Sequence, residues 1–395
     1  MRVLIAPDSF KGSLTALEAA QSIASGIRRV FPDADCRLAP MADGGEGTVD
    51  ALVQATGGRT FSARVKGPLG SPVTAAYGIL GDGRTAVVEM AAASGLPLLR
   101  PEERNPLQAD THGTGELLLE ALKRLRQDPA DSGNAPLRLI VGIGGSATND
   151  GGTGCMRALG IRFLDDRGNE LPPGGAALSR LADIDVSGMT EALDGVDVLV
   201  ACDVNNPLCG PSGASAVFGP QKGAGPEQVA QLDAALARYA EIASKTTGRD
   251  IADSPGAGAA GGLGAGLLFF TAARFVPGVE LVTDVLQLGK MMQDVDIVVT
   301  GEGRTDAQTL HGKAPMGVAT LAVACGKPVV CVSGCLGEGY RDLLQRGMDA
   351  VTCSVRGVSD AEACITHAAG YLEDAAERAM GLVRVGMRLH GIASS

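Results

Sequence analysis

At 395 residues the chain is long enough for two or three domains of ~100–200 residues each, which excludes a single small module. Hydrophobic residues make up 45% of it, but aromatics only 3% and Trp none, so the core must be built from Ala, Val, Leu and Ile, a composition suited to layered α/β packing. A formal charge of -11 with so few aromatics excludes a non-specific nucleic-acid binder, which needs a basic surface and stacking platforms.

The first apolar run, residues 2–6, stops at the polar loop PDSFKGS, and helical spacing follows at Leu17, Ala20, Ile23, Ala24, Ile27 and Val30. Thr15 and Glu18 have capping-box spacing, which starts the helix just after the loop and aims free N–H groups toward it. Because this run begins at Arg2, no signal peptide is expected. The pattern repeats as a short run at 36–39, the loop MADGGEG at 41–47 and a helix ending at Gly57 and Gly58. From about 60 to 91, three strand-like stretches separated by Gly/Pro turns predict a local antiparallel or mixed sheet.

A helix is expected from about 115 to 126, then a polar surface linker at 127–135 and a buried-type strand at 137–143. Further strands are expected at 196–202, 295–300, 328–332 and 350–354, with a closing amphipathic helix from about Asp360. The alternation implies parallel sheets. The longest apolar stretch, 262–276, is shorter than the ~20 residues that span a bilayer and contains Arg274, so no membrane segment is expected. The last strands resemble the first two in style. The expectation is a discontinuous Rossmann-like domain, residues 1–70 and 286–395, with residues 71–285 inserted as a second α/β domain with a mixed sheet. Nine cysteines without a C-x-x-C pair and four histidines without zinc spacing point to reduced thiols in a cytosolic protein and no zinc site.

Glycine, at 56 residues, is about twice its usual share of ~7% and follows no period, so it punctuates structure and frees backbone N–H groups. Ligands of open parallel sheets bind beyond the carboxyl ends of the strands, which makes the loops 8–13, 43–47, 144–154, 203–213 and 301–313 candidate sites. Lys11, Lys222 and Lys313 lie in polar loops beside glycines and are candidate anion binders, whereas Lys290 and Lys327 read as helix C-caps.

The segment GIGGSATNDGG at 142–152 opens as G-x-G-x-x-A, with Asp165 and Asp166 about twenty residues on, as a dinucleotide fingerprint requires. An NAD-dependent oxidoreductase using Gly142 to Ala147 is therefore one reading. Asn149, Asp150, Gly151 and Gly152 would break the helix that such a fingerprint needs. A long loop of N–H groups with Ser146, Thr148, Asn149 and Asp150 is better shaped for phosphates and a metal bound to them; a self-capping turn is the plainer alternative. No Walker A sequence exists, since HGKA at 311–314 lacks the earlier glycine and the following Ser/Thr. Glu302, Arg304 and Asp306 supply the carboxylates and guanidinium that phosphoryl transfer uses, although an Arg/Asp pair can equally stiffen the loop. Asp203 ends an apolar strand, placed either to accept a proton from an alcohol or to form an Asx turn.

Six stretches run in order along nearly the whole chain: APDSFKGSL at 6–14, MADGGEGT at 41–48, GIGGSATNDGG at 142–152, CDVNNPL at 202–208, FGPQKGA at 218–224, and GEGRTD through HGK at 301–313. Together they resemble the bacterial glycerate kinases of the two-domain class that phosphorylates D-glycerate at its 2-hydroxyl. The resemblance implies ATP as donor, Mg²⁺, and 2-phosphoglycerate as product, feeding glycolysis from glyoxylate or sugar-acid breakdown. It also implies a Rossmann- or flavodoxin-like domain plus a second α/β domain, with the site in the cleft between them. On loop position and charge type, Asp203 is the expected base, and Lys11 with Ser9 binds the glycerate carboxylate or the transferred phosphate. Asp43 and Glu46 are expected to hold substrate hydroxyls or metal. Gly144, Gly145, Ser146, Asn149 and Asp150 would contact the nucleotide, Asp150 holding Mg²⁺. Glu302, Arg304, Asp306 and Lys313 would complete the phosphate or substrate clamp. The expected partners are small molecules alone, without nucleic acid or membrane, for a cytoplasmic monomer or homodimer.

Overall fold

A computed structural model describes residues 1–127, 136–310, 312–358 and 360–389, so the expected linker lies, from residue 128, outside the described residues. The chain divides into two compact units, one made of Met1–Asp43 with Val279–Ser395 and the other of Gly44–Gly278. The first unit opens with β1 (Arg2–Ile5), whose Val3, Leu4 and Ile5 are fully buried, as a strand covered on both faces requires. Helix α1 (Ala16–Val30) starts at Thr15, where the capping box forms as expected: Thr15 Oγ1 accepts from the Glu18 N–H and Glu18 Oε2 from the Thr15 N–H. Strand β2 (Asp35–Leu38) then pairs in parallel with β1.

The second unit begins with α2 (Thr48–Thr56), β3 (Arg59–Lys66), β4 (Pro72–Ile79) and β5 (Thr85–Glu89). Residues 44–70, expected with the first domain, pack here instead. β3 is antiparallel to β4 along its length, and α2 lies so close that a Cβ on Gly78 would meet Val53 at 2.4 Å. Helix α3 (His112–Gln127), β6 (Leu137–Gly142), α4 (Thr153–Ala158), β7 (Val196–Ala201), α5 (Pro226–Thr247), α6 (Leu263–Phe270) and β8 (Arg274–Val276) follow. The sheet order is β8-β7-β6-β5-β4-β3, parallel from β8 to β5 and antiparallel beyond, the mixed sheet that the turns at 60–91 predict. With almost no aromatics to spend, this core sets Tyr239 of α5 edge-on to Phe269, 5.8 Å between centroids, among Ala, Val and Leu.

The chain returns to the first unit through α7 (Gly278–Val285), α8 (Leu288–Gln293), β9 (Ile297–Thr300), α9 (Ala314–Ala324), β10 (Val329–Ser333) and β11 (Ala350–Cys353). The closing amphipathic segment is two helices, α10 (Ala361–Thr366), capped by Asp360, and α11 (Ala368–Leu389). The five strands are all parallel in the order β2-β1-β9-β10-β11. Counted within the unit this is 2-1-3-4-5, the flavodoxin-like order, whose topological switch point falls between β1 and β9. Among the described residues, no helix is long and apolar enough to cross a membrane.

Candidate active site

At the switch point of the first unit two loops leave neighbouring strands side by side. The Ala6 and Asp8 N–H groups donate to Val299 O and Gly301 O, which carries the β1–β9 pairing past the ends of both strands. Phe10 turns inward and is bridged to Leu14, so Lys11 and Gly12 stand out at the loop tip, Gly12 at a φ of 79° that favours glycine. The second loop is held by a two-residue ladder of Arg304 and Thr305 against Cys335 and Leu336. Between them lies a cavity of about 600 Å³. Asp8, Ser9, Lys11, Asp43, Glu302, Arg304 and Lys313 supply its polar lining, and Phe10, Val355, Ile365 and Tyr371 line it too.

Charge is crowded in this cavity. Burial, and then the neighbouring Asp43, push the Asp8 carboxyl up to about 7, with Glu302 adding to the rise and the Ser9 N–H and Lys11 opposing it. Glu302 is also raised by burial, against the Thr309 hydroxyl at 2.6 Å and the Lys313 ammonium at 3.4 Å. Asp306 does not line the cavity. Its Oδ2 accepts from Arg304 Nε at 3.0 Å and its Oδ1 from the Gln308 N–H, so it orients the arginine.

In the second unit, the ends of β6 and β7 carry the other loops. A Cβ on Gly142 would lie 2.6 Å from Gly44 O, and one on Gly44 would lie 2.6 Å from the Ala201 Cβ. These two glycines let the Gly44–Gly47 loop rest on the strand ends, gathering the loops that carry Glu46, Gly144 and Asp203. Gly144 and Gly145 are exposed there, and Asp203 Oδ1 accepts from the Gly278 N–H at 2.9 Å. Glu89, at the end of β5, caps the Val49 N–H of α2 at 2.7 Å, its carboxyl raised by burial.

Behind Gly145 the glycine-rich loop is buried. Asp150 has no exposed surface, and its oxygens accept from the Thr111 N–H and hydroxyl and from the Gly152 and Gly154 N–H groups, at 2.8–3.2 Å. With its oxygens so engaged it staples the loop to the start of α3, and the expected role as a Mg²⁺ ligand is not retained. Asn149 is buried too, donating to Ser215 Oγ at 2.9 Å. Lys222 enters from a one-turn helix, Pro220–Lys222; it is 1% exposed, and its Nζ donates to Ser146 Oγ and Thr148 O, each at 2.7 Å. Among the described residues, no group of three His, Cys, Asp or Glu side chains has the arrangement of a complete metal site.

Of the expected residues, the first unit thus collects Ser9, Lys11, Asp43, Glu302, Arg304 and Lys313 at one cavity, and the second collects the loops of Glu46, Gly144, Gly145, Ser146 and Asp203. The sequence assigns Asp8 no role beyond its place in loop 8–13 and does not single out Glu89. Both stand at or just past a strand end, which is the available signal; what sequence does not display is that Asp8 is buried and Glu89 half-buried.

Strands ending in glycine- and carboxylate-bearing loops, with lysines facing an acidic cavity and no Walker loop, describe an α/β small-molecule kinase outside the P-loop class. A dinucleotide site is not supported: α4 starts only at Thr153, and Asp165 Oδ1 accepts from the Arg167 and Asn169 N–H groups, holding that carboxylate to its own turn. The glycerate kinase family model matches residues 3–384, and the chain belongs to that family. It is 52% identical over 373 residues to a glycerate kinase of Bacillus subtilis (strain 168), covering 94% of this chain and 95% of that one. With a glycerate 2-kinase of Escherichia coli (strain K12) it shares 46% over 391 residues, 99% of this chain and 100% of the other. A crystal structure described as glycerate kinase 2 from Salmonella typhimurium LT2 superposes with a TM-score of 0.88 at 46% identity, over 98% of this chain and 99% of that one.

Proposed function

We propose that the protein transfers the γ-phosphate of ATP to the 2-hydroxyl of D-glycerate, giving 2-phosphoglycerate and ADP, as a cytoplasmic enzyme. The observation that carries this reading is the switch-point cavity, where Asp8, Asp43 and Glu302 share one space with Lys11, Arg304 and Lys313. Such alternation suits an anionic acceptor and a cation-neutralised phosphate. The 2-hydroxyl choice is supported by the glycerate 2-kinase among the relatives.

Magnesium sites of kinases need only one or two carboxylates plus substrate phosphates. Asp8 and Asp43 fit that donor set, because their mutual repulsion is what a divalent cation would relieve. Mg²⁺ held there would neutralise phosphate charge as it shifts toward the leaving group. Lys11 and Lys313 bind anionic oxygens, Lys313 tethered by Glu302, and Ser9 offers its hydroxyl beside Lys11. Arg304, oriented by Asp306, adds a guanidinium clamp. Gly144 and Gly145 present backbone N–H groups and Ser146 a hydroxyl to nucleotide phosphate, while Asn149 and Asp150 keep that loop in shape. Asp203 takes the proton of the attacking hydroxyl as the new O–P bond forms and the β–γ bond breaks, and Glu46 holds a substrate hydroxyl.

Phosphorus NMR of the product made from ATP and D-glycerate tests the reading. A 2-phosphoglycerate resonance is expected; a 3-phosphoglycerate resonance would reassign the hydroxyl, and no phosphoglycerate would sink the proposal. Asp203→Asn should lower kcat by about 10²- to 10⁴-fold while leaving nucleotide affinity nearly intact. Near-normal turnover would remove Asp203 from the role.

A further inference from the structure

We infer that Lys222 is a positioning residue for phosphate recognition, which by donating to Ser146 Oγ reserves the serine's own proton for a bound phosphate oxygen. The inference rests on reading the glycine-rich loop as a phosphate loop. Its basis is the placement of a fully buried lysine whose partners are a serine hydroxyl and a backbone carbonyl of that loop. An ammonium has donors only, so Ser146 Oγ can meet it solely as acceptor, and its O–H must then point elsewhere. Among the described residues that O–H has no acceptor.

The surroundings hold this arrangement in place. On one side the loop is pinned by the Ala147 N–H to Ser94 O and by the Leu96 N–H to Gly145 O, and Lys222 fixes it from the other. The backbone beside Lys222 is clamped in turn: Arg104 Nη1 donates to Gln221 O, and Gly223, at φ 97°, passes so close that a Cβ would meet Arg104 O at 2.7 Å. Only Gly144 and Gly145 of this stretch remain exposed, beside the hydroxyl whose direction Lys222 dictates. The lysine forms no ion pair among the described residues. Asp150 is the carboxylate whose charge it feels, and Arg104 is the nearby cation. Burial lowers its ammonium to about 7, only partly offset by Asp150.

The relay therefore has a pH signature. Below neutrality the ammonium donates and carries its charge. As pH rises, the neutral amine gains a lone pair that can accept a hydrogen bond from the Ser146 hydroxyl, turning it away from the ligand, and the positive charge is lost. Both changes weaken phosphate binding.

The experiment is calorimetric titration of ADP into the full-length protein between about pH 6 and 9, bracketing the lysine. Wild type should lose about tenfold in affinity across the range, beyond the change shown by Ser146→Ala. At low pH Ser146→Ala and Lys222→Met should each bind ADP about tenfold more weakly, with the pH limb gone and the double variant no worse than either single one. In steady state, KM for ATP should rise more than kcat falls. A folded Lys222→Met that binds as wild type, or additive losses in the double variant, overturns the relay while leaving the phosphate loop standing. Unchanged ADP affinity in Ser146→Ala overturns the phosphate-loop reading itself, and the relay with it. If Lys222→Met does not fold, the pH slopes of wild type and Ser146→Ala decide, and equal slopes overturn the inference.

Discussion

Asp8 and Asp150 are both buried carboxylates with different neighbours. Asp8 is buried and also faces the Asp43 carboxylate, so the fold binds its proton more tightly than the unfolded chain does, about 7 against 3.8. Stability from this group is present below the unfolded value and is lost as pH rises through that window. Asp8→Asn should therefore stabilise the ligand-free protein at pH 8 by about 1–3 kcal/mol, measured by urea unfolding, and abolish turnover. Mg²⁺ should stabilise wild type at that pH and not the variant; equal stabilisation of both would remove Asp8 from the metal site. Asp150 instead meets four donors, so Asp150→Asn, turning an NH₂ toward N–H groups, should destabilise by roughly 2–3 kcal/mol. A loss under about 0.5 kcal/mol would mean the loop is not stapled there.

At the scale of elements, α1 and α11 touch through Gly26, where a Cβ would stand 2.0 Å from Glu373 O. Gly26→Ala should force the helices apart and cost about 1–3 kcal/mol in urea unfolding despite alanine's better helix propensity. A neutral or stabilising result would show that the pair can slide. Elements with a local signature were legible: Thr15 and Glu18 announce α1, and the Gly/Pro turns announce β3, β4 and β5. Helix α5 has no strong sequence signature beyond Gly225 as N-cap and Pro226 at its first position, because half of its buried stripe is alanine, which carries little hydrophobic contrast. The site was legible as loops rather than as contacts. Lys222 stands out as a lysine beside a glycine, but its grip on Ser146 spans 76 positions, which no local pattern encodes. Asp150 looked like a metal ligand because sequence shows a carboxylate in a glycine-rich loop and not the four donors around it.

For the whole molecule, each unit has its own apolar core and its own parallel strands. The second unit is one continuous segment, whereas the first must join strands nearly 300 positions apart, as Arg2 and Asp296 do through a 2.8 Å ion pair. A polypeptide of residues 44–278 should therefore unfold as a single cooperative transition and show native-like circular dichroism without kinase activity. Broad, non-cooperative melting would mean that it depends on the rest of the chain.

The segment's two ends also meet: a Cβ on Gly44 would come within 3.4 Å of the Gly278 Cα. An insert whose entry and exit coincide can be removed from a gene, or acquired by one, with its host's reading of strand order intact. A shortened gene joining codon 43 to codon 279 is therefore the direct test of whether the five-stranded unit stands by itself.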